Sequence, residues 1–508
     1  MMTTEPSPKR LLFRRQFLLG PKAAGKVEDW KETALDADCW ISSHPDLEVS
    51  KVARGETTLV LLGYLLDPFH PRQTGEQILE NIIEEIKVPD DVFPLMASTG
   101  GRYVMVIKVK NSLRIFTDPA GFRQLFYGFD QAGKLWCSSQ PALLANELGL
   151  ERDAVLEEDL FRLPLFKFST EYWFPGNTTL IKGVVHLTPN HYLDLRTGEP
   201  IRFWPKASPR DCPIEEALER CAIILNGILR GAVERFDLAF AITAGLDTRV
   251  LLAAAKEVRD RIYFFTHTHE RLNETGPDID IPRQMLGKFG AAHHIVQGLE
   301  MLEPEFEAAF RQSVTAARTR IGKNALAIKT HFDELQRKPL VVNGFCGEIT
   351  RSYYRLPQRV VLSGKVLATL AGMAGSESVE KAFGQWLEAA RAHPQKTISL
   401  LDLFYWENRT ANWGAMSYSE YDIAFDSLSP FNCREVIELL LGVDSKLRLP
   451  PDYEIHRALI QKMWPELLDF PINPPANFKE RILGNARKTP FYDWLRYAKF
   501  SYRLWRQG

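Results

Sequence analysis

The spacing of apolar positions changes character along this chain. Over about the first two hundred residues they alternate, or run in short blocks between turn residues, which predicts strands with short helices. The unbroken apolar run Thr57–Leu66 is stopped by Asp67 and Pro68. Residues 101–110 place Tyr103, Met105 and Ile107 in alternation, as in a half-buried strand, and 113–116 pairs with it across Asn111 and Ser112. The Gly/Pro turn that follows Thr117 leads into a further strand. Nearer the start, Leu11, Leu12 and Phe13 lie between Lys9-Arg10 and Arg14-Arg15. That run is too short for a secretion signal and predicts a basic-flanked first strand.

After Trp204 and Pro205 the pattern shifts. Residues 207–213 are polar and Pro-rich, a linker, and Ile214–Arg235 has helical apolar spacing. Next come a strand at 236–242, a Gly-containing turn, a helix opening at 250–255, a strand at 261–266, a helix at 281–289 and a third strand at 293–296. That alternation predicts a parallel sheet covered by helices, with a mostly helical remainder from about residue 355. The expected organisation is an α+β domain over 1–205 followed by an α/β domain over 206–508 with a helical extension.

A chain of 508 residues is long enough for two domains. With 45% hydrophobic and 25% charged residues it falls in the ordinary globular class. The net charge of −1 gives no electrostatic reason to expect nucleic acid or an anionic membrane as partner, and no apolar run is long enough for a transmembrane helix. Six cysteines are scattered without a C-x-x-C pair or zinc spacing, which predicts free thiols in a reducing, cytoplasmic compartment.

Two turns carry the candidate chemistry. The first joins a buried strand to a helix through Thr243, Ala244, Gly245, Leu246, Asp247 and Thr248. Small residues let backbone approach a ligand, the new helix start favours an anion, and the two hydroxyls can donate to phosphate oxygens. A carboxylate beside phosphate makes sense when a divalent cation lies between them; an ordinary N-cap turn explains the same residues. The second turn, with Asn343, Gly344, Gly347 and Glu348, also follows an apolar strand. Two such turns at strand C-termini face one crevice, where Asp247 and Glu348 would share Mg²⁺.

The first turn resembles the S-G-G-x-D-S pyrophosphate loop of N-type ATP pyrophosphatases. The order of motifs resembles the asparagine synthetase family, including its β-lactam synthetase and lasso-peptide cyclase members. Residues 117–128 are similar to that family's R-D-P-F-G-x-x-P-L-Y-Y-G, 136–144 to F-A-S-E-x-x-A-L-L, and 187–193 with Phe203 and Trp204 to L-x-P-G-x-x-L and Y-W. In the second half, 344–354 resembles G-D-G-G-D-E-L-F-x-G-Y, and 429–434 resembles R-x-P-F-L-D-R. The resemblance spans about residues 55–470. It implies an N-terminal nucleophile-type β-sandwich ahead of an ATP-pyrophosphatase domain, with ATP and Mg²⁺ as cofactors.

The departures define the expected activity. Glutamine-hydrolysing members begin with cysteine, whereas this chain begins Met1-Met2-Thr3-Thr4 and has its first cysteine at position 39. Where the family has N-G-E-x-Y-N, this chain has Leu62, Gly63, Tyr64, Leu65, Leu66 and Asp67. Glutaminase activity is therefore expected to be lost. Both Ser→Thr changes in the first turn keep the hydroxyl, and Ala244 is tolerable where φ is negative. Phe345 lacks the phenol that β-lactam synthetases place there, and Cys346 is read as a small residue in place of glycine. In the apolar stretch 400–409, Glu407 is either one member of an internal ion pair or a base for the attacking amine. Lys479 matches a family lysine that steadies charge on the α-phosphate, or is a solvated surface lysine.

The resemblance implies that ATP activates a substrate carboxylate as its adenylate, which an amine then captures, as in lactam or macrolactam closure of lasso-peptide-like products. Ammonia-dependent asparagine formation is the alternative. A non-catalytic nucleotide-binding partner of a pathway enzyme is the reading from another class.

Overall fold

The computed structural model describes residues 11–205, 212–269, 276–357, 360–393, 398–475, 497–502 and 504. The N-terminal part is a sandwich of two six-stranded antiparallel sheets, and the C-terminal part is built on a five-stranded parallel sheet with a helical extension. Residues 207–211 of the expected linker lie outside the described residues.

The sandwich shows why its strands read as nearly continuous apolar runs. In one sheet Thr57–Leu66 pairs with Gly100–Val109 along ten residue pairs. One face, with Val60, Leu62, Val104 and Val106, meets Phe17, Leu19 and Ile41 of the other sheet. The opposite face, with Leu59, Leu61, Met105 and Ile107, packs on Ile78, Leu79, Ile82 and Ile83 of the Gly75–Glu85 helix. Thr74 caps that helix with a capping box to Gln77. Gly100–Val109 is thus buried on both faces rather than half-buried, and its alternation sorts side chains between two cores.

The first strand is also displaced from expectation. It runs Phe17–Gly20, after the two arginines. Leu11 instead packs with Phe306 and Phe310 of the second domain, and the Phe13 amide donates to Ser313 Oγ at 2.8 Å. The basic pair is used across the interface. Arg14 donates to the Ile423 carbonyl at 3.1 Å and Arg15 to the Asp422 carbonyl at 2.6 Å.

In the second domain the strand order is His293–Val296, Ile262–His267, Leu238–Ala241, Leu340–Val342, Asp426–Leu428, all parallel. The helix Ile214–Arg235 has the expected bounds and buries twelve residues, among them Leu225, Ile228 and Leu229. The fifth strand was not expected, because the three residues Asp426, Ser427 and Leu428 are too few and too polar to show a period. Among the described residues no helix is long and apolar enough to cross a membrane.

The motifs quoted from the two halves meet at the domain interface. Asn432 donates to Asp118 and to the Gly101 carbonyl, both at 2.9 Å, and accepts from the Ala120 amide at 2.9 Å. Arg102 pairs with Asp422 at 2.5 Å and Asp426 at 2.9 Å, and Arg123 with Asp426 at 3.2 Å. Burial alone would raise the Asp426 carboxyl, but Arg123 and Arg102 hold it down at about 2.

Candidate nucleotide site

The central strand Leu238–Ala241 pairs in register with Leu340–Val342, so the turns that follow them emerge side by side. Successive strands are laid to one side of Leu238–Ala241 and then to the other, which makes these two C-terminal ends the switch point of the sheet. Parallel sheets of this nucleotide-binding-like kind form their ligand crevice there.

The first turn opens the Leu246–Ala254 helix with Gly245 as its N-cap. Ala244 keeps a negative φ, so replacing a glycine there costs no backbone strain. Thr243 Oγ1 accepts from the Gly245 amide at 3.1 Å and lies 3.4 Å from Thr248 Oγ1, placing both hydroxyls at the helix start. The Ala244 amide donates to the carboxylate of Asp278 at 3.0 Å, so this turn already holds one anionic group on its backbone. Behind it, Arg249 is buried and donates to the carbonyls of Leu467, Phe470 and Pro471 at 2.8–3.1 Å. These bonds tether the chain that reaches Asn473, whose amide donates to the Ala244 carbonyl at 3.0 Å. Lys479 lies outside the described residues.

The second turn packs directly on the first. A methyl at Gly344 would come within 3.0 Å of Asp247 Cβ, and one at Gly347 within 2.7 Å of Asp247 Oδ1. Only glycine permits so close an approach. Asn343 Oδ1 accepts from the Phe345 amide at 3.2 Å and from the Tyr418 hydroxyl at 2.7 Å. Tyr418 in turn stacks on Phe122 of the first domain, ring centres 4.1 Å apart. Ser429 donates to the Phe345 carbonyl. Cys346 is buried in the left-handed region at φ 78°, where glycine is at ease, and its thiol contacts the Phe431 carbonyl. Burial pushes that thiol well above its ordinary value, which makes it inert.

Asp247 and Glu348 are brought together with a residue that sequence reasoning passed over. Arg351 donates to Asp247 Oδ2 at 2.5 Å and lies 3.8 Å from Glu348. Asp247 Oδ1 is buried without a hydrogen-bond partner. Burial raises the Asp247 carboxyl to about 7, Arg351 pulling it down and Glu348 pushing it up. Arg351 was detectable in the sequence as a cation three residues from an acid, but nothing in the spacing pointed it toward residue 247.

Glu407 forms a buried ion pair. It accepts from Arg202 at 2.5 and 2.8 Å, from Asn190 at 2.8 Å and from Trp386 at 2.8 Å. None of these partners belongs to either turn. Despite burial, Arg202 holds its carboxyl below the usual range.

No protein-family model and no curated protein matches the chain. Among solved structures, the allosteric regulatory enzyme of purine biosynthesis aligns over 60% of this chain and 73% of its own, at 11% identity and a TM-score of 0.25. The glutamine phosphoribosylpyrophosphate amidotransferase from B. subtilis, complexed with ADP and GMP, aligns over 61% and 74%, at 11% identity and a TM-score of 0.24. Values this low leave the functional reading to the geometry of the site itself.

Proposed function

We propose that the chain is an AMP-forming carbon–nitrogen ligase that adenylates a substrate carboxylate with ATP and passes the acyl group to an amine. One observation carries this reading. Two glycine-bearing turns meet at the switch point of a parallel sheet and bring Asp247 and Glu348 together, one carboxylate oxygen being left without a partner.

The residues fit Mg²⁺. Both acids offer hard oxygens, and Asp247 Oδ1 is buried without a hydrogen-bond partner. Mg²⁺ is ordinarily bound by one or two carboxylates together with phosphate oxygens and water, which two acids suit. Asp247 and Glu348 would hold the ion, which when bound supplies charge against the departing pyrophosphate. The chain itself contributes the first-turn amides of the 246–254 helix and the hydroxyls of Thr243 and Thr248, donors suited to pyrophosphate oxygens. In the reaction, a carboxylate oxygen bonds to the α-phosphorus, the bond to the β-phosphate bridging oxygen breaks, and pyrophosphate departs. The amine nitrogen then bonds to the acyl carbon, the bond from that carbon to the AMP oxygen breaks, AMP leaves, and the surplus proton on nitrogen passes to solvent.

The amine is supplied without glutamine hydrolysis. In the first domain, burial raises the Cys39 thiol to about 12 and the Cys137 thiol well above its ordinary value, so neither is a thiolate at neutral pH. We favour an amine carried by the substrate itself, as in lactam or macrolactam closure, over free ammonia. A second reading has Arg351 in its favour. A guanidinium already paired with Asp247 suits a nucleotide-binding partner protein that performs no chemistry.

Pyrophosphate release tests both. It is expected to require ATP, Mg²⁺ and a carboxylic acid, and to vanish in Asp247→Ala. Calorimetry showing no ATP binding at millimolar ATP and Mg²⁺ overturns the ligase reading. Binding without pyrophosphate release across a panel of acids supports the partner protein.

A further inference from the structure

Beside the second turn lies an arginine that meets no acid among the described residues. The Leu400–Phe404 helix continues into a π-helix over Tyr405–Gly414. Such widened helices are rare and occur at functional sites. Nearly all its side chains are buried, but Arg409 and Trp413 are only partly so, and they are in contact. The Arg409 guanidinium lies 5.1 Å from the Trp413 ring centre and 5.3 Å from that of the half-exposed Tyr353. Trp413 is 5.3 Å from Phe345 of the second turn, and Tyr353 is 4.8 Å from Tyr405. The guanidinium is therefore one aromatic ring away from the candidate nucleotide crevice.

Four other arginines are each neutralised by an acid. Arg202 pairs with Glu407, Arg318 with Glu420, Arg448 with Asp402 and Arg351 with Asp247. Arg409 has no carboxylate partner among the described residues, and its Nε is buried without a hydrogen bond. Desolvating a charge is costly, and aromatic faces return only a small part of that cost. The hydroxyls of Tyr405 and Tyr354 also reach the guanidinium, but among the described residues no carboxylate meets its planar fork, which matches one with two parallel hydrogen bonds.

We propose that Arg409 seats a carboxylate of the substrate, with an apolar stem against Tyr353, Trp413 and Phe345. Resting on the adenylating activity proposed above, this carboxylate is the one that does not react, because a carboxylate with both oxygens engaged by a guanidinium is a poor nucleophile. The substrate class is then an apolar acid bearing two carboxylates, one for ATP and one for Arg409.

Calorimetry on the full chain separates the two proposals. Benzylsuccinate is expected to bind. Losing one carboxylate (4-phenylbutyrate) or the ring (succinate) should each weaken binding about tenfold or more. Arg409→Met should weaken benzylsuccinate about 30-fold while leaving ATP affinity unchanged, and Arg409→Lys, which keeps charge but not the fork, should fall between. Circular dichroism checks that each variant folds, and Arg409→Lys carries the test if Arg409→Met does not. Equal binding of benzylsuccinate and 4-phenylbutyrate, unchanged binding in the folded variants, or no binding of benzylsuccinate to the unaltered protein overturns the proposal. Benzylsuccinate binding lost in the variants without any ATP binding to the unaltered protein supports the carboxylate seat and overturns only the adenylation.

Discussion

Replacing Glu407 by Gln separates a structural role from a chemical one. The carboxylate receives four hydrogen bonds, two from Arg202 and one each from Asn190 and Trp386. A glutamine of the same shape has one accepting oxygen, and its amide nitrogen must face donors. The Arg202 side chain, only 5% exposed, is left without its counter-charge. Breaking a buried pair from one side costs about 3–5 kcal/mol, and the retained shape places Glu407→Gln near 3 kcal/mol. The assay is urea unfolding of Glu407→Gln, Arg202→Met and the double variant. The double variant should recover about 2 kcal/mol relative to the sum of the singles, because neither charge is then stranded. Acid gives an independent check. The Glu407 carboxyl lies below its unfolded value, so its contribution is present above that value and disappears as pH falls through the folded one. Stabilities of the unaltered and Glu407→Gln proteins should therefore converge in acid. Glu407→Gln within about 0.5 kcal/mol of the unaltered protein, with adenylate formation intact and amide release abolished, refutes this reasoning and makes Glu407 the base.

Mg²⁺–ATP affinity should strengthen as pH rises through about 7, with release of about one proton, because Asp247 must ionise to hold the metal; calorimetry in buffers of different ionisation enthalpy measures both, and a flat profile contradicts it. The same raised carboxyl contributes stability below its unfolded value that is lost as pH rises through the folded one, so without nucleotide Asp247→Asn should be more stable than the unaltered protein at mildly alkaline pH. Arg351→Met removes the positive charge that pulls Asp247 down, so the affinity midpoint should move to higher pH. Cys346 should resist thiol reagents until the protein unfolds, because its thiol is buried in the core. Gly347→Ala, which drives a methyl against Asp247 Oδ1, should abolish ATP binding in the same calorimetric assay.

Much of the fold was legible because it is local. The strand Thr57–Leu66 and the helix Ile214–Arg235 have the bounds their apolar spacing predicts. Both candidate turns stand where a strand meets glycine. Two elements escaped. The strand Asp426–Leu428 is too short to show a period, and Leu11 to Phe13 proved to be an anchor against the second domain, a distinction that three apolar residues cannot make.

By itself the sequence determined the order of elements, the small residues at the turns and the presence of Asp247 and Glu348. These depend on backbone conformation and on periods within a few residues. Only the tertiary structure decided which charges meet. Arg351 was put on Asp247 across 104 residues and Arg202 on Glu407 across 205. Arg409 was left with aromatic faces, tyrosine hydroxyls and, among the described residues, no acid. Such pairings follow from which surfaces are driven together when two cores close, and spacing along the chain carries no record of that.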